Sequence, residues 1–251
     1  MIHYVIGLVA FVAIFGGALL GIYGARALPA QHRSSPTRIA VSVAIAIVGT
    51  LSALVLGLMI STANSSFSAR SGEVATIAVD LIRIHRMMER YGPEADDVRA
   101  KLRAYAAAKM QDLFPASGEP TQNLEETVRM METTQDAILT LVPTDDRQRW
   151  LRSQTLTLTD SLLHARWLLA EHSGTSIPLP FLILLIFWLT IVFASFGLFA
   201  PRNATTIAFL GLCSLAVSGG ITIIMELDSP LSGLVRISAE PMREALIQLM
   251  Q

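Results

Sequence analysis

Four stretches of this chain run the length of a bilayer without a Lys, Arg, Asp or Glu: Val5 to Gly24, Ile39 to Ile60, Phe181 to Phe199 and Ala204 to Met225. A hydrocarbon core of about 30 Å takes roughly 20 apolar residues in helical form. A helix satisfies its own backbone donors and acceptors there, where no water can. The stretches therefore predict four transmembrane helices. In a chain of 251 residues, 52% hydrophobic and 16% charged, that reading also explains a composition unsuited to a soluble domain. The first stretch is longer than the apolar core of a signal peptide and is preceded by His3 alone as a basic group, so it reads as a retained span.

Residues 61–177 separate the second and third spans and are punctuated at Gly92-Pro93, at Pro115 to Pro120 and at Pro143. The punctuation predicts four helices. The first carries Val74, Ile77, Leu81, Ile84, Met88 and Tyr91 at alternating three- and four-residue spacing, one apolar seam. The third offers Leu124, Val128, Met131, Gln135, Ile138 and Val142, and the second Val98, Leu102, Tyr105 and Leu113. The fourth is expected to start at a Thr144 cap and to run to His172. No strong turn signal separates Ile60 from Val74, so the second span is expected to continue into the insert; residues 39 to 91 would reach ~80 Å as one helix. The alternative is a kink near Asn64 to Gly72. The chain should end in a short amphipathic helix capped by Ser238, with Met242, Leu246 and Leu249 on its apolar face.

The predicted fold is thus an all-α membrane protein. Four transmembrane helices flank an antiparallel extramembrane helical bundle inserted between the second and third. Its segments are 1–60, 61–177, 178–226 and 227–251.

Charge suggests an orientation. The segment between the first two spans carries Arg26, Arg33 and Arg38 without an acid, and the turn between the last two carries Arg202. Short arginine-bearing loops face the cytoplasm, which places the insert and both termini in the periplasm of a bacterial inner membrane.

Several chemistries are not expected. His3, His32, His85, His164 and His172 are scattered and Cys213 is the lone cysteine, so no metal site is predicted. Phosphate loops, dinucleotide fingerprints and nucleophile elbows are absent from the sequence, so neither a cofactor nor catalysis is expected. The paired acids Asp96-Asp97, Glu125-Glu126 and Asp145-Asp146 stand at expected helix starts, where they complement the helix dipole. The insert holds 13 Lys and Arg against 16 Asp and Glu, which disfavours nucleic acid as a partner. Spans without ionisable groups also argue against a proton pump or a voltage sensor.

Small residues at three- and four-residue spacing let helices approach in lipid. The first span has Gly7, Ala10, Gly17, Gly21 and Gly24; the second has Ser42, Ala46, Gly49, Ala53, Gly57, Ser61 and Asn64; the fourth has Gly211, Ser214, Ser218 and Thr222. The third, rich in Phe, is expected to face lipid. Each stripe is either a packing surface or the lining of a narrow pore, and Glu226 with Asp228 would form an acidic ring if copies assembled around an axis.

Three segments resemble the bestrophin-like family of bacterial membrane proteins. They are Leu54 to Phe67 (LVLGLMISTANSSF), Ser195 to Thr205 (SFGLFAPRNAT) and Met225 to Leu246 (MELDSPLSGLVRISAEPMREAL). The resemblance implies four spans around a helical domain. Through bestrophins proper, it also implies a pentameric anion channel whose pore narrows at hydrophobic residues and whose insert is cytosolic. The arginine pattern points the insert the other way. Two functional readings follow: an oligomeric ion channel or pore, with lipid, further copies of itself and inorganic ions as partners; or a membrane-anchored sensor or interaction protein that uses its bundle without catalysis.

Overall fold

The computed structural model describes residues 2–26, 35–114, 124–171, 177–228 and 235–251. The expected break at Pro115 to Pro120, His32 and Arg33 of the arginine loop, and His172 lie outside them.

Regular structure among the described residues is helical throughout: α1 (Ile2–Gly24), α2 (Ser35–Tyr91), α3 (Asp96–Leu113), α4 (Leu124–Thr140), α5 (Asp146–Glu171), α6 (Leu179–Phe199), α7 (Ala204–Leu227) and α8 (Glu240–Leu249). The helices α1, α2, α6 and α7 are long and apolar enough to cross a membrane. The second span does not stop at the end of its apolar run. Residues 61–73 contain no proline, and α2 passes through them as one helix to Tyr91. It ends at Gly92, whose φ of 130° an L side chain rarely adopts, and Pro93 then opens a turn of 3-10 helix into α3.

Internal contacts divide the chain into a membrane unit, Met1–Ser66 with Thr175–Asp228, and a bundle unit, Phe67–Gly174 with Ser229–Gln251. In the membrane unit α1 packs along α6 and α7. Its contact with α6 is made backbone to backbone. A Cβ on Gly21 would lie 1.9 Å from the Ala194 carbonyl oxygen, and one on Gly197 would lie 2.0 Å from that of Ala18. Gly17 meets Thr190 through both the Cγ2 methyl, 2.7 Å from such a Cβ, and the carbonyl oxygen at 3.0 Å. The third span therefore has a packed side that its phenylalanines did not suggest: Leu182, Leu185, Val192, Phe193 and Gly197 are buried, while Phe181, Phe187 and Phe196 are exposed. Small residues are few in α6, but Ala194 and Gly197 stand where the α1 glycines arrive.

The bundle unit has one core, in which the whole Val74-to-Tyr91 seam of α2 meets Val98, Leu102 and Tyr105 of α3, Met131 and Ile138 of α4, and Leu151, Leu158 and Leu162 of α5. The terminal helix α8 joins it through Met242, Ala245 and Leu249. Two expectations need correction. The buried face of α4 is Thr127, Met131, Thr134, Ile138 and the following Leu141, while Val142 is 81% exposed. The Thr134 hydroxyl donates to the Met130 carbonyl at 2.8 Å, which satisfies it inside the core. The α5 cap falls one residue later than expected: the Asp145 carboxylate accepts from the Gln148 amide at 2.6 Å, and Thr144 donates to the Gln148 side chain. Gln148 Nε2 also donates to the Tyr91 carbonyl at 3.0 Å, and Arg152 donates to the carbonyls of Ile138 and Leu139, so the start of α5 caps the ends of both α2 and α4.

His85 is buried in this unit and its Nδ1 has no hydrogen-bond partner. Burial first, then the Arg99 and Arg103 guanidinium groups, hold its pKa below the ordinary 6.5, with Glu89 pulling the other way. Folding therefore favours the neutral imidazole. The stability this permits is present above the unfolded value and is lost as pH falls below about 6.5 toward the folded value, because the unfolded chain then binds the proton more readily.

Two outcomes are expected of the full chain in detergent, read by thermal unfolding. Gly197→Leu should lower the midpoint by forcing α1 and α6 apart, at a cost of about 1–3 kcal/mol typical of overpacking, whereas Gly57→Leu, with open space around it, should not. The wild type should lose stability on acidification below about 6.5, and His85→Gln should remove part of that loss.

Candidate functional site

A hydroxyl in a membrane helix can return its proton to a carbonyl one turn back and so cease to offer a polar surface. The fourth-span hydroxyls do this. Ser214 donates to Leu210 at 2.7 Å, Ser218 to Leu215 at 3.1 Å and Thr222 to Ser218 at 2.9 Å. Ser214 and Ser218 are buried, Thr222 fills the space a Cβ would need at Gly7, and Gly211 lies against the Phe15 ring. The α7 stripe is thus occupied by α1 of the same chain.

The second-span stripe is arranged differently. The inner face of α2 in the membrane unit is Ser52, Met59 and Ala63, all buried. The stripe stands beside that face and away from the unit's interior. Ser42, Ala46, Ala53, Gly57, Ser61 and Asn64 are exposed, and among the described residues no atom comes within 4 Å of a Cβ built on Gly49 or Gly57. Of the four candidate spans, the apolar window of α2 is the least buried, 17% against 39% for α1.

The stripe divides into two halves. Toward the chain start, Ser42, Ala46 and Gly49 border a groove against α6. Toward the insert, Ala53, Gly57, Ser61 and Asn64 are exposed. Ser42, Thr50 and Ser52 donate to carbonyls one turn back, but Ser61 and Asn64 have no side-chain hydrogen bond among the described residues. A polar, unoccupied helix face remains where the apolar run ends.

Glu226 and Asp228 are 3% and 2% exposed. Glu226 lies in hydrogen-bonding reach of the Tyr4 hydroxyl. In the single chain they are interior groups at the end of α7. No cluster of metal-ligating side chains occurs among the described residues.

The α2–α6 groove, with Arg38 at its edge and Val192, Ser195, Phe196 and Phe199 on its α6 side, has no signal in the sequence that announces it. The i, i+3, i+4, i+7 spacing of the α6 members was visible, but nothing in the sequence pairs them with α2.

The family description "Bestrophin-like domain" matches residues 12–242. Solved structures of a bacterial bestrophin homologue from Klebsiella pneumoniae share the fold. Two point-substituted forms superpose with TM-scores of 0.72 and 0.71, and a third structure with 0.70. Each is 14% identical, and the superposition covers 97% of both chains. Among curated proteins, none matches.

In a Cys213→Ala background, cysteines at Ser61 and Asn64 should react readily with a membrane-impermeant maleimide in native membranes, and one at Ser218 slowly. Equal labelling of all three would contradict the assignment of the two faces.

Proposed function

This chain belongs to the bestrophin-like family, and we propose that it works as an oligomeric ion pore in which Ala53, Gly57, Ser61 and Asn64 of each copy face the conducting path. The observation that carries this reading is the contrast between stripes. Gly7, Gly17 and Gly21 of α1 and the stripe of α7 are engaged in packing inside the chain, whereas among the described residues Gly57 in the insert-side half of α2 is not. Small side chains leave room for a partly hydrated ion where copies of α2 approach one another, and the Ser61 hydroxyl and Asn64 amide replace part of its water at the polar end. Assembly around an axis also brings the small residues of α2 into helix–helix contact, where such residues are favoured.

In the same reading the protein lies in a bacterial inner membrane. The end bearing Arg26, Arg38 and Arg202 faces the cytoplasm and the bundle unit faces the periplasm. Glu226 and Asp228 act within each copy rather than as a shared ring, because Glu226 already has Tyr4 within reach.

Purified protein reconstituted in planar bilayers is expected to carry current, with the sign of the permeant ion read from the reversal potential across a KCl gradient. Gly57→Leu should cut unit conductance several-fold without lowering the thermal midpoint. Silence over a range of ions, or wild-type conductance in Gly57→Leu, would defeat the proposal.

A further inference from the structure

The groove between α2 and α6 is about 540 Å³ in volume, within the range of about 300–1,000 Å³ common for small-ligand sites. Its walls are Ile45, Val192, Phe196 and Phe199, with Gly49 at its inner end and Arg38 at its outer end. From Arg38 to Gly49 is about 16 Å along the helix, close to half of a hydrocarbon core of about 30 Å. The groove therefore spans one leaflet, apolar along its depth and cationic at its edge.

Arg38 stands apart from the other arginines described at this end. Arg202 donates to the Ile22 carbonyl at 3.0 Å, capping α1, and Arg26 lies 5.7 Å from the centroid of the Tyr23 ring. Arg38 has no ion pair among the described residues and its side chain is exposed. The membrane unit cannot supply a counter-charge here. Its acids are Glu226 and Asp228, and Glu226 is about 33 Å along α7 from Ala204. The chain as a whole has no acid before Glu73. A second copy laid on this face by the same face would bring arginine toward arginine. The Ser195 hydroxyl, half-buried in the groove, also makes no hydrogen bond among the described residues.

We propose that this groove binds an anionic phospholipid of the surrounding bilayer, with one acyl chain between α2 and α6, the headgroup phosphate on Arg38, and Ser195 available to the glycerol esters. An apolar slot ending in an unpaired cation at headgroup depth selects a molecule that is apolar over one leaflet and negative at its end. The site needs one chain only and is independent of whether the protein conducts.

The test uses the full chain in mild detergent, exposed to equal amounts of phosphatidylglycerol and phosphatidylcholine, with retained lipid counted by native mass spectrometry. The wild type should retain phosphatidylglycerol about tenfold over phosphatidylcholine, which corresponds to about 1.4 kcal/mol. Arg38→Gln should bring the ratio near one, and Gly49→Leu, which fills the groove, should reduce retention of both lipids. Inorganic phosphate should not displace the bound lipid. Equal retention by the wild type, an unchanged preference in Arg38→Gln, or displacement by phosphate would each overturn the proposal. So would a disulfide-linked dimer through Ser195→Cys in a Cys213→Ala background, which would place a second copy in the groove.

Discussion

The close approach of α1 and α6 fixes the arrangement of the membrane unit. In lipid there is no hydrophobic gain from bringing two apolar helices together, so association rests on van der Waals contact and weak polar contacts at short range. Gly21 against the Ala194 carbonyl and Gly197 against that of Ala18 let two backbones meet without a side chain between them, a spacing that favours Cα–H···O contacts. With α6 on one flank and α7 on another, α1 buries Ala10, Ile14 and Ala18 completely. What remains for α2 is a narrow inner face, and its small residues are left uncovered for use outside the single chain.

The bundle unit is held by a different balance. Its core accepts Thr127, Thr134, Thr155 and Thr159, of which Thr134, Thr155 and Thr159 return their hydroxyls to carbonyls one turn back. It also accepts Lys109 with Asp112 at 3.3 Å, two charges that are tolerable in the interior because they are paired. Helix ends are closed by side chains from elsewhere in the unit, with Gln148 on Tyr91 and Arg152 on Ile138 and Leu139. The polar groups left open by backbone geometry are thereby satisfied without a long connection.

Length and hydropathy made the spans legible, and the spacing of Val74 to Tyr91 made the α2 seam legible, since each rests on a periodicity that runs along one segment. The continuity of α2 was readable from missing punctuation. The buried face of α4 was not, because Thr127 and Thr134 count as polar in any pattern, and the Thr134 hydroxyl is accommodated in the core by its bond to a carbonyl of its own helix. The small-residue stripes could be found but not sorted: Gly7 and Gly57 look alike in sequence, and only the placement of Thr222 beside one and nothing beside the other separates packing from open surface. Arg38 signals orientation in the sequence, and its position at the edge of a groove depends on α6, a segment some 150 residues later.

The cap that Arg202 places on the Ile22 carbonyl joins residues 180 positions apart. At a synthesis rate of about 5–20 residues per second, roughly ten to forty seconds pass between the appearance of the first span and that of the arginine which closes it. Over the same interval the glycine face of α1 has no α6 to receive it. The first two spans must persist in the bilayer while residues 61–177 are made, so the membrane unit acquires its α1–α6 contacts only after α2 to α5 have been synthesised.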